Sequence, residues 1–127
     1  MMRKLEFFSK ANKTPVNLNE IESARNDWMQ LCNQHNAIEL IRKAYTSDAI
    51  YYSHKPLIIG TDAITKEYSY MNQPNYSLHL DPIVIEPVND HIVFEIGQCS
   101  GSYNGNYVLV WKKQKDGSWQ VFFDSNI

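Results

Sequence analysis

Hydrophobic and polar positions divide the 127-residue chain into two halves with different periods. Up to Met71 apolar residues return at helical spacing, and from Tyr76 onward they alternate. The first helix is predicted from Asn17, which can cap it; Glu20 completes a capping box, and Val16 with Ile21 forms a hydrophobic staple across the boundary. Ile21, Ala24, Trp28, Leu31, Cys32 and His35 continue one face. Asn36 and Glu39 repeat the capping pattern for a shorter helix with Ala37, Leu40, Ile41 and Ala44 inside, broken at Thr46-Ser47-Asp48. Ala49 to Ser53 reads as a strand, and Leu57 to Ile59 as a short return from the Pro56 turn. A third helix starts at Gly60-Thr61, turns Ile64, Tyr68 and Met71 inward and stops at Pro74. Residues 1–16 are expected to be a loose arm before a single domain over 17–127.

Turn chemistry organises the second half. Asn89-Asp90, Asn104-Gly105 and Asp116-Gly117 divide it into four strands joined as successive hairpins. Helices first and a meander afterwards make an α+β fold. Each turn also implies a register. Asn89-Asp90 pairs His79 with Ser100, Asp81 with Gln98, Ile83 with Ile96 and Ile85 with Phe94; Asn104-Gly105 pairs Ser102 with Tyr107, Ser100 with Leu109 and Gln98 with Trp111. Asp116-Gly117 pairs Trp111 with Phe122, Leu109 with Asp124 and Tyr107 with Asn126. These registers gather His79, Asp81, Gln98, Ser100, Tyr107, Leu109, Trp111, Phe122, Asp124 and Asn126 on one mixed face, expected to line a pocket. Val108, Val110, Trp119, Val121 and Phe123 fall on the more uniformly apolar face, expected to cover a second copy in a homodimer.

Composition narrows the classes. With 43% hydrophobic and 20% charged residues the chain is globular, and a formal charge of −2 offers no basic surplus for nucleic acid or an anionic membrane. Cys32 and Cys99 lack zinc spacing, the four His show no paired-ligand pattern, and no Gly-rich phosphate loop precedes a helix. No metal or other cofactor is expected. His35 and His54 are expected in exposed turns, and both thiols buried in a reducing compartment. Without a secretory h-region or a long apolar run, the default expectation is a soluble cytoplasmic protein. The unusual number is the aromatic content, 13%.

The stretches Tyr45-Thr46-Ser47-Asp48-Ala49-Ile50-Tyr51 and Ile59-Gly60-Thr61-Asp62-Ala63-Ile64, followed late in the chain by Val110-Trp111-Lys112-Lys113, Asp116-Gly117-Ser118-Trp119-Gln120-Val121 and Asp124, resemble the nuclear transport factor 2-like superfamily. Its SnoaL-like and ketosteroid-isomerase-like branches are the nearest in character. The resemblance implies a cystatin-like cone: three N-terminal helices packed in a curved antiparallel sheet, a cavity at the wide end, and dimers through the sheet backs. It does not imply one activity, because this fold hosts isomerases, dehydratases, hydrolases and inert binding modules.

The residues at the expected site depart from the ketosteroid isomerase pattern of a carboxylate base with a Tyr and a protonated Asp. Ser53 stands where the base is expected, Trp28 where the Tyr is, and Leu109 where the acid is. Steroid isomerase activity is therefore not expected. Three readings remain. The first is a dimeric SnoaL-like protein holding a small, partly apolar molecule in a pocket that also includes Trp28, Tyr51 and Ser53. The second is an isomerase, dehydratase or hydrolase in which His79 moves a proton, oriented by Asp124 or Asp81. Against it stands a plain structural role, with His79 satisfying Ser100 and Asp81 solvated before Pro82. The third is an interaction module whose cavity is filled by Trp28, Trp111 and Phe122. Asp124 carries separate weight, because it stands mid-strand where β-propensity disfavours it.

Overall fold

The computed structural model describes residues 16–53 and 55–127. Of the expected arm only Val16 is among them, and His54 is not. The elements run α1 (Leu18–Asn33), α2 (Ala37–Ala44), β1 (Tyr45–Tyr52), β2 (Ile58–Ile59), α3 (Thr61–Glu67), a 3₁₀ turn (Tyr68–Asn72), β3 (Leu78–Pro87), β4 (Ile92–Gly101), β5 (Gly105–Lys113) and β6 (Trp119–Asn126). One six-stranded sheet orders them β2-β1-β6-β5-β4-β3. β3 to β6 are successive antiparallel hairpins, as the turns predict. β1 lies parallel to β6, so the curved sheet is mixed rather than antiparallel. The whole intervening chain forms the long connection that a parallel pair requires. β1 also starts four residues earlier than expected, directly from α2, because Tyr45 pairs with Val121.

Local chemistry explains the helices. Asn17 caps α1 by accepting from Asn19 N, but Glu20 does not close a capping box; its Oε1 accepts from Trp119 Nε1 at 3.0 Å instead. Asn36 caps α2 through Glu39 N. α1 ends at Asn33 with Gln34 as its C-cap, and the next residue, His35, takes the left-handed φ of 63° that reverses the chain. That ring is half-buried with Nε2 3.0 Å from Tyr76 O, so the expectation of an exposed turn is corrected. Four side chains fasten α1 across the inner face of the sheet: Glu20 to β6, Arg25 to Glu95 on β4, Trp28 to Tyr45, and Asn33 to both backbone groups of Leu78. Ile21, Trp28, Cys32, Leu40, Ile41, Val93, Trp111 and Val121 fill the core between helices and sheet. No helix among the described residues is long and apolar enough to cross a membrane.

Register separates expectation from structure. His79↔Ser100 and Asp81↔Gln98 pair as the turn implies, but a bulge between Pro82 and Val84 replaces Ile83↔Ile96 by Val84↔Ile96. Tyr107↔Asn126 and Leu109↔Asp124 also pair as expected, until a second bulge replaces Trp111↔Phe122 by Trp111↔Val121. The β4–β5 turn is the one misread outright, since Cys99 pairs with Gly105 and Gly97 with Tyr107. Gly101 takes a positive φ of 117°, three residues before the Asn104-Gly105 pair read as the turn, and Ser102 N still bonds Ser77 O beyond the end of β4. The expected and observed registers differ by an odd number of residues, which turns β4 over relative to β5.

Candidate functional site

The inner face of the sheet is not filled to its end. A cavity of about 350 Å³ opens beyond α1, beside Trp28. β1 contributes Tyr51, with Ser53 just past its end, β3 Leu78 and Leu80, β4 Cys99, β5 Tyr107 and Leu109, and β6 Asp124 and Asn126. The remaining wall comes from irregular chain: Tyr68, Tyr70 and Met71 on the 3₁₀ turn, Tyr76 after it, and Ser102 with Tyr103 at the β4–β5 turn. The rings stand edge to face in series. Tyr51 meets Tyr68 at 5.1 Å, Tyr68 meets Tyr70 at 5.8 Å, and Tyr70 meets Tyr76 at 5.3 Å.

Asp124 is the one acid at this wall and is buried, 3% exposed. Its Oδ2 accepts from Tyr45 Oη at 2.5 Å and from Tyr68 Oη at 2.6 Å. Tyr45 in turn accepts from Trp28 Nε1 at 3.1 Å. No described residue donates to Oδ1. Burial pushes the carboxyl up to about 6, and the two tyrosine donors only partly offset it. The same burial and the Asp124 charge hold the Tyr45 and Tyr68 hydroxyls well above their ordinary value, so they remain neutral donors. Tyr51 accepts from Asn126 Nδ2 at 3.0 Å.

A second acid lies deeper on the same face. Glu95 is fully buried and accepts from Arg25 Nε and Nη2 at 2.8 and 2.9 Å, from Tyr107 Oη at 2.6 Å and from Trp111 Nε1 at 3.0 Å. Burial opposes the Arg25 charge, and Glu95 more than offsets it, leaving the guanidinium above its ordinary value. Tyr107 reaches Glu95 only because Gly97 lies beneath it, where a Cβ would stand 2.5 Å from the ring. Sequence patterning missed Arg25 and Glu95. Both had a signal: Arg25 falls on the apolar stripe between Ile21 and Trp28, and Glu95 interrupts the alternation of Val93 and Gly97 just as Asp124 interrupts β6.

Of the residues expected at the site, Trp28, Tyr51, Ser53, Tyr107, Leu109, Asp124 and Asn126 line the cavity. His79, Asp81, Gln98 and Ser100 do not: all four are exposed on the outer face, paired with one another across β3 and β4. The inverted β4–β5 register carried the β3–β4 pair to the wrong side. His79 therefore cannot work on one ligand with Asp124. Trp111 is buried beneath the cavity on Glu95, and Phe122 faces outward under the Lys112 ammonium at 5.1 Å. Neither fills the cavity. Tyr68 was legible as a core position but not as a partner of Asp124, Tyr45 was read only as part of the stretch that carries the resemblance, and Tyr70, Tyr76 and Tyr103 were not read as site residues. On the outer face, Trp119 and Val121 are also corrected, since the β6 bulge turns both inward. Val108, Val110 and Phe123 stay outside, half-buried beside Phe94, Ile96 and Phe122. Cys32 and Cys99 are free buried thiols; burial pushes Cys32 up to about 12 and Cys99 upward too, so neither is an activated nucleophile. No group of acids, His and Cys among the described residues suits a metal ion.

No family model and no curated protein matches the sequence. Solved structures do match the fold. An NTF2-like protein of unknown function from Shewanella oneidensis superposes with a TM-score of 0.73 at 14% identity, over 85% of this chain and 96% of the other. A ketosteroid isomerase-like protein from Erwinia carotovora atroseptica gives 0.69 at 18% identity, over 87% and 95%. A domain of unknown function with a cystatin-like fold from Nostoc punctiforme gives 0.73 at 13% identity, over 90% and 78%. The chain has the NTF2-like, cystatin-like fold.

Proposed function

On this scaffold, we propose that the protein binds a small, partly apolar molecule in the tyrosine-lined cavity, oriented by Asp124. One observation carries the reading: a buried carboxylate faces an open volume with one oxygen held by two hydroxyls and no described donor on the other. An acid left half-satisfied beside a cavity is poorly explained by structure alone, because buried charges are ordinarily completed from within the fold. The open volume also argues against a vestigial site. Native mass spectrometry of the freshly purified chain tests the reading. A retained small molecule that is lost on Asp124→Ala is expected, and retention unaffected by that change would overturn the role of Asp124.

A second reading rests on the Asp124 carboxyl at about 6, near the value a general acid or base needs at neutral pH. In this form Asp124, not His79, moves the proton, and Tyr45 and Tyr68 steady its charge. A carboxyl resonance at position 124 that titrates below pH 4.5 would remove it. We also propose a homodimer through the outer face of Val108, Val110 and Phe123, joined by Phe94, Ile96 and Phe122. A second copy is the fitting partner because a regular strand face with apolar side chains can meet its own image across a two-fold axis. A monomer by sedimentation at micromolar concentration would refute it.

A further inference from the structure

The cavity has a chemical sign as well as a volume. Resting on the small-molecule reading above, we propose that the occupant is an organic cation, a protonated or quaternary amine, seated among the tyrosine rings with Asp124 as its counter-charge.

Both hydroxyls that reach Asp124 are on the same one of its oxygens. Tyr45 and Tyr68 give their protons to Oδ2, Trp28 gives its proton to Tyr45, and Asn126 gives its amide proton to Tyr51. Asp124 Oδ1 receives no donor from a described residue, and the other polar groups of the wall, Tyr51 Oη and the Ser53 and Ser102 hydroxyls among them, are neutral and leave its charge in place. No Lys, Arg or His among the described residues lines the cavity. The charge of Asp124 therefore acts there without an internal opposite, in surroundings where charges are weakly screened. Glu95 makes the contrast, because the fold supplies it with Arg25.

The rings are arranged to suit the same occupant. Tyr51 and Tyr68 stand at 72° to each other, Tyr68 and Tyr70 at 71°, and Tyr70 and Tyr76 at 61°. Neighbouring walls near a right angle present a cation with several aromatic surfaces, and the ring quadrupole attracts positive charge without needing a donor or acceptor. An anion would face the carboxylate at close range, and a neutral molecule would leave its charge uncompensated. Tyr70 and Tyr103 are 41% and 40% exposed, so the tyrosine wall continues to the solvent and offers an entry. A cavity of about 350 Å³ accommodates an amine of choline size.

Choline and its uncharged isostere 3,3-dimethylbutan-1-ol test the assignment by isothermal titration calorimetry on the full chain at pH 7.5. Choline is expected to bind about tenfold more tightly than the alcohol, from charge pairing and cation–π attraction together. In Asp124→Asn that advantage is expected to disappear while the alcohol is held as before. Tyr103→Leu, at an exposed position that the core does not need, is expected to weaken choline about threefold and the alcohol less, and decides the matter if Asp124→Asn is poorly folded. Equal affinities for the two probes, or a choline advantage untouched in both variants, would overturn the cationic class. Binding of the alcohol or of phenol without choline overturns it too, but leaves the small-molecule reading standing. Silence from all three probes takes both down.

Discussion

Glu95 on β4 and Asp124 on β6 are buried acids on the inner face of one sheet, and each accepts a tyrosine hydroxyl at 2.6 Å. They differ in completeness. Glu95 has both oxygens occupied, two donor atoms from Arg25 and one each from Tyr107 and Trp111, and its charge is cancelled inside the core. Asp124 has donors on one oxygen only, no described cation beside it, and a cavity in front of it. A closed network of the first kind holds α1 to the sheet. An open one of the second kind is where a ligand can supply what the fold withholds.

The hardest way to break the closed member is Glu95→Ala. It strands the Arg25 guanidinium in the core together with the Tyr107 and Trp111 donors, and should cost about 3–5 kcal/mol in urea unfolding. Loss below about 1 kcal/mol would mean that Arg25 escapes to water and the network is not closed.

The next effect belongs to Asp124 and shows as pH dependence. Its folded carboxyl lies at about 6 against an ordinary 3.8, so the folded state holds the proton more tightly than the unfolded one. Its contribution is fully present below the ordinary value and is lost as pH rises through about 6. Between pH 4 and 7 the parent should lose on the order of 3 kcal/mol relative to Asp124→Asn, whose amide oxygen can still accept from both tyrosines. Parallel stability curves for the two proteins would contradict the raised value.

Gly97→Ala sharpens the comparison by striking one acid and sparing the other. The new Cβ would meet the Tyr107 ring at 2.5 Å and the Asp81 carbonyl at 2.6 Å, forcing Tyr107 off Glu95. A cost of about 1–3 kcal/mol is expected, with the carboxyl titration at position 124 unmoved. The smallest effect is His79→Ala. That ring is exposed on the outer face, so stability should change by less than about 0.5 kcal/mol and cavity binding not at all.

Much of the architecture was legible because it is written in local chemistry. Asn17 and Asn36 cap the helices at which they were read, the apolar stripe of α1 faces the sheet, and the meander runs between the segments that the turn residues mark. Asp124 was legible as an acid in a place that β-propensity disfavours. Glu95 carries the same mark, but a mid-strand acid does not announce whether an arginine from a helix will close over it. The outer-face position of His79 was not legible either: the Asn104-Gly105 pair is a good turn signal, yet the chain turns through Gly101 while still pairing with β3.

Residue types along the chain thus determined which segments become helix or strand and that strands alternate between two faces, since caps, turns and periodicity act over a few neighbouring residues. Which face each strand shows to the cavity was decided only in the folded sheet. The two bulges and the turn at Gly101 are set by how neighbouring strands and α1 fit together, and an odd change in register sends every side chain of a strand to the other side. The same packing brings Tyr45, Tyr68 and Asp124 together from three distant segments at the cavity wall, leaving one oxygen of the acid without a described donor.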